Sequence, residues 1–210
     1  MKIQLDWLKE YVDFDVSAEE LGQLLTMAGL EIEGQETVEL GDGTKTEVLE
    51  LNVTPNRGYC LSYFGVAREV AALMNKNYKN PDYEPELKEN WGPSLVEEKL
   101  TVDNRAPELC LRYSGMVIED VKIGPSPKWL VDRLTSLGFR SVNNIVDITN
   151  FVLMEYGQPL HAFDKDLLDG SEIIVRRASK NEAFTSLDGI ELKLDEDTLV
   201  IADNSKPIAL

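Results

Sequence analysis

The stretch that most strongly decides how this chain folds is residues 143–164, which read NNIVDITNFVLMEYGQPLHAFD. At about 100° per residue, apolar side chains cover one face of a helical wheel and much of the opposite side: Ile145, Val146, Ile148, Val152, Leu153, Met154 and Tyr156. A helix that is apolar nearly all round is typical of a buried position. Gly157 should end this helix and Pro159 should prevent its resumption. We therefore expect a buried helix over residues 143–156.

Three polar residues stand within this apolar run or just after it: Thr149, Asn150 and the chain's only histidine, His161. A buried amide without a hydrogen-bond partner costs about 1–3 kcal/mol. In one interpretation, Asn150 satisfies the backbone of a neighbouring loop and His161 is a capping or core residue. In the other, the three side chains converge where the helix ends and a proline-fixed loop returns, as in a small-ligand pocket. Both interpretations stay open at this point.

Length and composition limit the class of protein. The chain has 210 residues, of which 43% are apolar and 28% charged, ordinary values for one large or two small soluble domains. No apolar run approaches the ~20 residues that span a bilayer. The N-terminal stretch MKIQLDWLKEYVDFD mixes charges into its apolar positions, unlike a signal peptide. We expect a cytoplasmic protein.

The cysteines and the charge narrow the chemistry further. Cys60 and Cys110 are far apart and lack C-x-x-C spacing, which indicates neither a disulfide framework nor a zinc site. We expect no metal and no cofactor in this chain. The net charge is −17, from 21 basic and 38 acidic residues. Since phosphate backbones are bound mainly through Lys and Arg, such a chain should repel nucleic acid at long range.

Residues 1–78 have the pattern of a small helix–hairpin α+β module. Ser17 and Glu20 form a capping box, which predicts a helix that ends at Gly29. Its predicted buried face is Leu21, Leu24, Leu25 and Ala28. The turn LGDGTK before the alternating stretch EVLELNV predicts a β-hairpin. A further helix is predicted over residues 61–74, with four residues inward: Val66, Val70, Leu73 and Met74. Arg57, after the strand break at Pro55, is predicted to support the structure rather than to bind RNA.

Residues 79–99 contain three prolines, many charges and no period, so we interpret them as a linker. Residues 100–210 then have the pattern of a mixed α/β domain. Strands are predicted near residues 100–102 and 113–121, and a helix with Ser126 as N-cap and Pro127 at its first position. Asp164 should cap a short turn. Later elements are predicted as a strand EIIVRRA, a hairpin turning on residues 188–189, and a final strand TLVIADN.

At this point the sequence resembles a known family, the bacterial phenylalanyl-tRNA synthetase β subunit. The resembling blocks, in chain order, are WLKEYVD, LLTMAGLEIEG, TPNRGYCLSYFGVAREVAAL, GPSPKWLVDRL, VNNIVDITNFVLMEYGQPLHAFD and LVIADNSKPIAL. They span nearly the whole chain. The long block N-N-x-V-D-x-T-N…G-Q-P-x-H-A-F-D is far more specific than a short motif.

The resemblance implies a place in an α2β2 ligase that charges tRNA with phenylalanine, using ATP and Mg²⁺, during protein synthesis in the cytoplasm. In that family the adenylate-forming site lies on the α subunit, so no cofactor site is implied in this chain. The β subunit binds tRNA and carries an editing pocket that hydrolyses tyrosine wrongly attached to phenylalanine tRNA. Residues 100–210 resemble the N-terminal part of that editing domain. The family's editing histidine corresponds to His161, and its threonine–asparagine pair to Thr149 and Asn150.

The sequence differs from the family pattern in two places. Relatives usually insert an OB-fold tRNA-binding domain after a block like LEIEG, where this sequence has only residues 35–48. The sequence ends at KPIAL, where the family continues through a glycine-rich segment and a pocket glutamate. We therefore expect part of a β subunit, inactive in ligation by itself and weak in tRNA binding. Two alternatives stay open: a free-standing hydrolase of mischarged tRNA, and a non-catalytic structural or interaction module.

Overall fold

The computed structural model describes residues 1–80 and 99–210. It is an α+β fold, as predicted, and the chain divides into two compact units. The first unit consists of Met1–Tyr83 and Lys122–Ala162, and the second of Glu84–Val121 and Phe163–Leu210. The predicted division into residues 1–78, a linker at 79–99 and a domain at 100–210 stays a prediction. Most of that linker lies outside the described residues.

The first unit combines a small sheet with helices. In chain order its elements are β1 (Lys2–Gln4), α1 (Leu5–Leu8), α2 (Ala18–Met27), β2 (Ile32–Glu39), β3 (Lys45–Leu51), a 3₁₀ helix (Pro55–Leu61), α3 (Tyr63–Met74), α4 (Lys128–Ser136) and α5 (Asn144–Tyr156). The strands form an antiparallel sheet in the order β1–β3–β2. The predicted hairpin is therefore confirmed, with Leu40 donating to the carbonyl of Thr44 across its turn.

The core of the first unit lies between this sheet and the helices. Leu5, Leu8 and Val12 are all buried in it. The rings of Trp7 and Tyr63 stack with centroids 3.8 Å apart. The Tyr63 hydroxyl accepts from the backbone of β1, so this core aromatic residue also ties α3 to the sheet.

The capping box of α2 is confirmed, but two inward residues were predicted wrongly. Ser17 accepts from the Glu20 amide, while the Glu20 carboxylate accepts from the Ser17 amide. Leu24 on α2 and Leu73 on α3 are each 40% exposed. A helix resting on one layer buries only a narrow stripe, and these residues lie at its edge.

Arg57 lies in the 3₁₀ helix that joins the sheet to α3, and its contacts agree with the predicted structural role. Its guanidinium contacts the carboxylate of Glu69 on α3 at 3.3 Å. The other oxygen of Glu69 accepts from the Tyr59 hydroxyl at 2.6 Å. The carboxylate therefore holds two residues of the turn against α3.

The start of α4 differs from the prediction. Its N-cap is Pro127, without a side-chain cap, and the helix begins at Lys128. Ser126 is not the cap because its hydroxyl donates to the carboxylate of Asp147. The helix ends at Ser136, and Gly138, two residues later, has a positive φ of 90°.

The second unit is built mainly of strands. Its elements are β4 (Thr101–Asn104), a short 3₁₀ helix (Lys165–Leu167), β5 (Glu172–Arg177), β6 (Glu182–Thr185), β7 (Glu191–Leu194), β8 (Leu199–Ala202) and β9 (Pro207–Ala209). One sheet has the order β4–β5–β8–β9 and the other is the β6–β7 hairpin. The hairpin and the Asp164 cap are confirmed. The predicted final strand is followed by β9, which the sequence prediction missed.

The strand predicted at residues 113–121 is wrong: these residues have no strand structure. Their alternating apolar side chains are exposed instead, with Met116 at 60% and Ile118 at 70%. An alternating pattern becomes a strand only when another strand supplies hydrogen bonds along it. Within the part of the chain that the structure describes, no strand pairs with this segment.

A buried carboxylate organises the turn between β8 and β9. Asp203 is 2% exposed. It accepts from the backbone amides of Asp169, Ser205 and Lys206 at 2.8–3.1 Å. Burial would raise the pKa of Asp203, but the amide hydrogen bonds outweigh it and lower the pKa from 3.8 to about 2. The ionised carboxylate therefore stabilises the turn.

This lowered pKa predicts the acid sensitivity of the second unit. Because the folded pKa of Asp203 lies below the unfolded value, its stabilisation is present above about pH 4 and is lost as the pH falls towards about 2. We expect Asp203→Asn to lower the free energy of unfolding by about 2 kcal/mol at pH 7 and by little at pH 2. Urea unfolding at both pH values measures this. The exposed Asp197 provides the control Asp197→Asn. An equal deficit of Asp203→Asn at both pH values would contradict the prediction.

Candidate functional site

The candidate site lies around α5, and the start of this helix is firmly anchored. The Asn143 side chain caps it by accepting from the amides of Ile145 and Val146, each at 3.0 Å. The Asn144 side chain accepts from the amide of Gly124 and donates to the carbonyl of Lys122. Four asparagine hydrogen bonds therefore hold the first turn.

Asp147 lies in the same first turn and is fully buried, with 0% exposure. Its carboxylate accepts from the hydroxyls of Ser126 and Ser141 and from the amide of Val142. Burial would raise the pKa of Asp147, but these hydrogen bonds outweigh it and hold the pKa below its ordinary value. The group is therefore an ionised carboxylate at neutral pH.

The other end of α5 is anchored by Glu155, which is 2% exposed. The Tyr11 hydroxyl donates to the Glu155 carboxylate and accepts from the Trp7 indole N–H at 3.1 Å. Gly157 then ends the helix in the left-handed region, with φ of 75°, as its position predicts. An added Cβ there would lie 3.4 Å from the Cβ of Ser62.

The prediction that α5 is buried on nearly all sides is wrong. Val146, Ile148 and Tyr156 are 37%, 49% and 40% exposed, and the fully buried residues of the helix are Asp147 and Glu155. A single face of α5 contacts the core, where the Phe151 ring stacks on Trp7 at 4.9 Å. Charged residues occupy that face because tyrosine and serine hydroxyls and a backbone amide satisfy their carboxylates.

The three predicted site residues belong to the first unit, on α5 and just beyond it. Thr149 and Asn150 are half-buried on α5, and His161 is exposed after the Gly157–Pro159 break. The Thr149 hydroxyl donates to the Val146 carbonyl at 2.8 Å, inside its own helix. The assignment of the three residues to one pocket stays a prediction.

Three apolar residues on α5 or just after it are of a type that could line a pocket for an aromatic ring, and they have different environments. Met154 packs against the hydrophobic core of the first unit. Leu153 is half-buried on α5, and Phe163 is half-buried in the second unit.

Sequence reasoning missed Asp147 and Glu155, the polar residues that hold α5. A signal for them was present. Asp147, Phe151 and Glu155 follow each other at four-residue spacing and therefore share one helix face. An apolar helix that places two carboxylates on the face of its stacked aromatic residue needs buried donors for them.

The described residues were also compared with the requirements of a metal site and of a membrane-spanning helix, and they meet neither. Within residues 1–80 and 99–210, no group of three or more His, Cys, Asp or Glu residues could hold a metal ion. None of the helices in these ranges combines the length and the apolar content that crossing a membrane requires.

The chain is similar in sequence to a domain family and to several known proteins. Residues 109–210 match the family model of the B3/4 domain. The phenylalanine–tRNA ligase beta subunit of Carboxydothermus hydrogenoformans is 55% identical over 163 residues, which are 78% of this chain and 20% of that protein. The beta subunit of Rhodopirellula baltica is 43% identical over 210 residues, 100% of this chain and 30% of that protein. The beta subunit of Geobacter sulfurreducens is 50% identical over 168 residues, which are 80% of this chain and 20% of that protein.

The chain thus spans 20–30% of the length of these relatives. The similarity is nevertheless strong along the chain itself, as the blocks quoted from the sequence indicate. With identities of 43–55% over 78–100% of its residues, the chain belongs to the family of phenylalanine–tRNA ligase beta subunits.

Proposed function

We propose that this chain is part of the β subunit of a cytoplasmic α2β2 phenylalanine–tRNA ligase, and that it contributes to hydrolysis of tyrosine wrongly attached to phenylalanine tRNA. Aminoacylation, with ATP and Mg²⁺, is assigned in this proposal to the α subunit. The observation that carries the proposal is the 43% identity to a phenylalanine–tRNA ligase beta subunit along all 210 residues.

The physical need for a second, editing site follows from the two amino acids. Tyrosine is phenylalanine with one added hydroxyl, and a hydrophobic pocket discriminates against such an addition by only about 10²-fold. A second site that recognises the hydroxyl improves fidelity. It requires an apolar slot for the ring, a polar group for the hydroxyl, and groups that place water at the ester carbonyl.

The arrangement of α5 supports a place for such a site on this chain. The core-facing side of the helix is occupied by Asp147 and Glu155, while Thr149 and Asn150 are only half-buried. His161 is exposed after the turn. A side-chain amide and an imidazole that are accessible from outside the core can bind the ester end of a substrate or orient water.

The chemistry that these residues suit is direct hydrolysis by a positioned water. No serine or cysteine of the sequence lies in a recognisable nucleophile elbow, so a covalent intermediate has no candidate nucleophile. In the proposal, Asn150 holds the substrate ester and His161 either accepts a proton from water or donates a hydrogen bond to the substrate.

The acidity of the chain affects how tRNA reaches this site. With a net charge of −17, the chain repels the phosphate backbone. We therefore assign the main tRNA contacts to other parts of the ligase. The isolated chain should bind tRNA weakly.

The proposal is tested by Asn150→Ala in the complete ligase. We expect slower deacylation of tyrosyl-tRNA and accumulation of mischarged product, with phenylalanine charging nearly intact because that reaction is assigned to the other subunit. The matched control is Gln23→Ala, which removes an exposed side-chain amide from α2. Deacylation by Asn150→Ala at the wild-type rate would reject the assignment of Asn150.

A further inference from the structure

The first turn of α5 contains a charged group that the proposed chemistry does not use. Asp147 is fully buried, with 0% exposure. Its three hydrogen bonds have lengths of 2.5 Å from Ser126, 2.6 Å from Ser141 and 3.1 Å from the Val142 amide. A buried carboxylate with three donors is constrained in both position and orientation.

These donors come from two separate places in the chain before α5. Ser126 precedes α4, whereas Ser141 and Val142 lie in the connection between α4 and α5. Both oxygens of the carboxylate are used, Oδ2 by the two hydroxyls and Oδ1 by the amide. Rotation of α5 about its axis would break these hydrogen bonds together.

Because α5 is a regular helix, holding the Asp147 side chain in place also fixes the directions of the other side chains on the helix. Each residue advances the helix by about 100°, so Thr149 lies about 200° from Asp147 and Asn150 about 300°. Glu155, about 80° from Asp147, holds the same side of the last turn through Tyr11. Fixing Asp147 and Glu155 on the core therefore fixes where the side chains at positions 149 and 150 point.

We propose that Asp147 is a positioning residue of the editing site: its hydrogen bonds to Ser126, Ser141 and Val142 set the rotation of α5 and thereby direct Thr149 and Asn150. This inference rests on the proposed function. Asp147 itself does not touch the substrate; it acts through the backbone of α5.

Replacing Asp147 by alanine and by asparagine distinguishes the effect of its hydrogen bonds on the rotation of α5 from the effect of its negative charge. Asp147→Ala removes the acceptor and leaves the half-buried hydroxyls of Ser126 and Ser141 and the Val142 amide without it. Asp147→Asn keeps one oxygen for the Val142 amide, and its NH₂ group can donate to the serine hydroxyls, which also accept hydrogen bonds. Asparagine should therefore preserve the rotation of α5, and alanine should not.

The first experiment measures deacylation of tyrosyl-tRNA by the complete ligase. We expect Asp147→Ala to lower kcat on the order of 10²-fold, with the KM for tRNA and phenylalanine charging unchanged. Asp147→Asn should stay within about threefold of wild type. In the Asn150→Ala background, Asp147→Ala should add little, since both changes affect the same site. Asp13→Ala, at an exposed position of the same unit, is the control.

The second experiment does not depend on activity. In NMR spectra of this chain, the amide resonances of Thr149 and Asn150 should shift in Asp147→Ala and stay in place in Asp147→Asn. If alanine unfolds the chain, Ser141→Ala replaces it, since this change removes one of the three hydrogen bonds, and the same resonances should move.

The outcomes separate the two proposals. Normal deacylation by Asp147→Ala, when Asn150→Ala is impaired, overturns the positioning role and leaves the proposed function intact. Normal deacylation by Asn150→Ala rejects the assignment of that residue, while the NMR shifts still test whether Asp147 orients α5. Unmoved resonances in the alanine variant, or in Ser141→Ala, overturn the inference.

Discussion

Replacing His161 by alanine in the complete ligase is expected to slow the hydrolysis of tyrosyl-tRNA by about 10²–10⁴-fold, the loss typical of a positioned general acid or base. His161 is exposed beyond the end of α5, so the substitution leaves the core intact. Phenylalanine charging should stay near the wild-type rate because the proposal assigns it to the α subunit. Pre-formed tyrosyl-tRNA and a deacylation time course measure the effect.

A second substitution distinguishes proton transfer from substrate binding. His161→Gln keeps a hydrogen-bonding side chain but cannot exchange protons near neutral pH. If His161 only binds substrate, glutamine should restore much of the rate that alanine loses; if it transfers a proton, glutamine should be nearly as slow as alanine. The control is Leu167→Ala, at a position that is 77% exposed. Wild-type deacylation by His161→Ala would remove the histidine from the mechanism.

Gly65→Ala, which adds one methyl group within α3, is expected to destabilise the folded chain strongly. An added Cβ at Gly65 would lie 1.9 Å from the carbonyl oxygen of Tyr59 and 2.6 Å from its carbon. Both are backbone atoms, so the 3₁₀ helix before α3 must move. We expect a loss of about 3 kcal/mol in the free energy of unfolding, the upper end of common overpacking effects.

The tertiary contact with Tyr59 and the local helix propensity predict opposite signs for the change in unfolding free energy of Gly65→Ala. Helix propensity alone predicts that Gly→Ala inside a helix stabilises by about 1 kcal/mol. Gly22 in α2 is the matched control, because its added Cβ would meet the Ile32 side chain at 3.4 Å, an ordinary contact. Gly22→Ala should therefore be neutral or stabilising. Chemical denaturation of both variants measures the difference; equal stability of Gly65→Ala and wild type would contradict the close approach to Tyr59.

The local elements of this chain were largely predictable from residue patterns. The capping box at Ser17, the hairpin turn at residues 40–44 and the helix end at Gly157 depend on neighbouring residues alone. Such signals act through the conformational preferences and hydrogen bonds of adjacent residues. The family resemblance of the block at residues 142–164 is likewise a property of the sequence.

Other features depend on residues that are distant in the chain. The alternation at residues 113–121 predicts a strand, yet pairing requires a partner that the pattern cannot supply. Ser126 has the sequence of a helix cap, but its hydroxyl donates to Asp147, 21 residues away. Residues 113–121 lack the hydrogen bonds that a partner strand would supply, and Ser126 makes a hydrogen bond to a distant residue. In both cases hydrogen bonding to distant parts of the chain decides the local structure.

The sequence by itself determined the α+β class, most helix and strand positions, the family, and the choice of Thr149, Asn150 and His161 as candidates. Only the tertiary structure decided which face of α5 meets the core. The helical wheel of α5 is apolar on nearly all sides, so hydrophobicity alone could not select the face that packs on the core. Hydroxyl donors on Ser126, Ser141 and Tyr11 selected it, because a carboxylate enters a protein core only where hydrogen bonds replace its water.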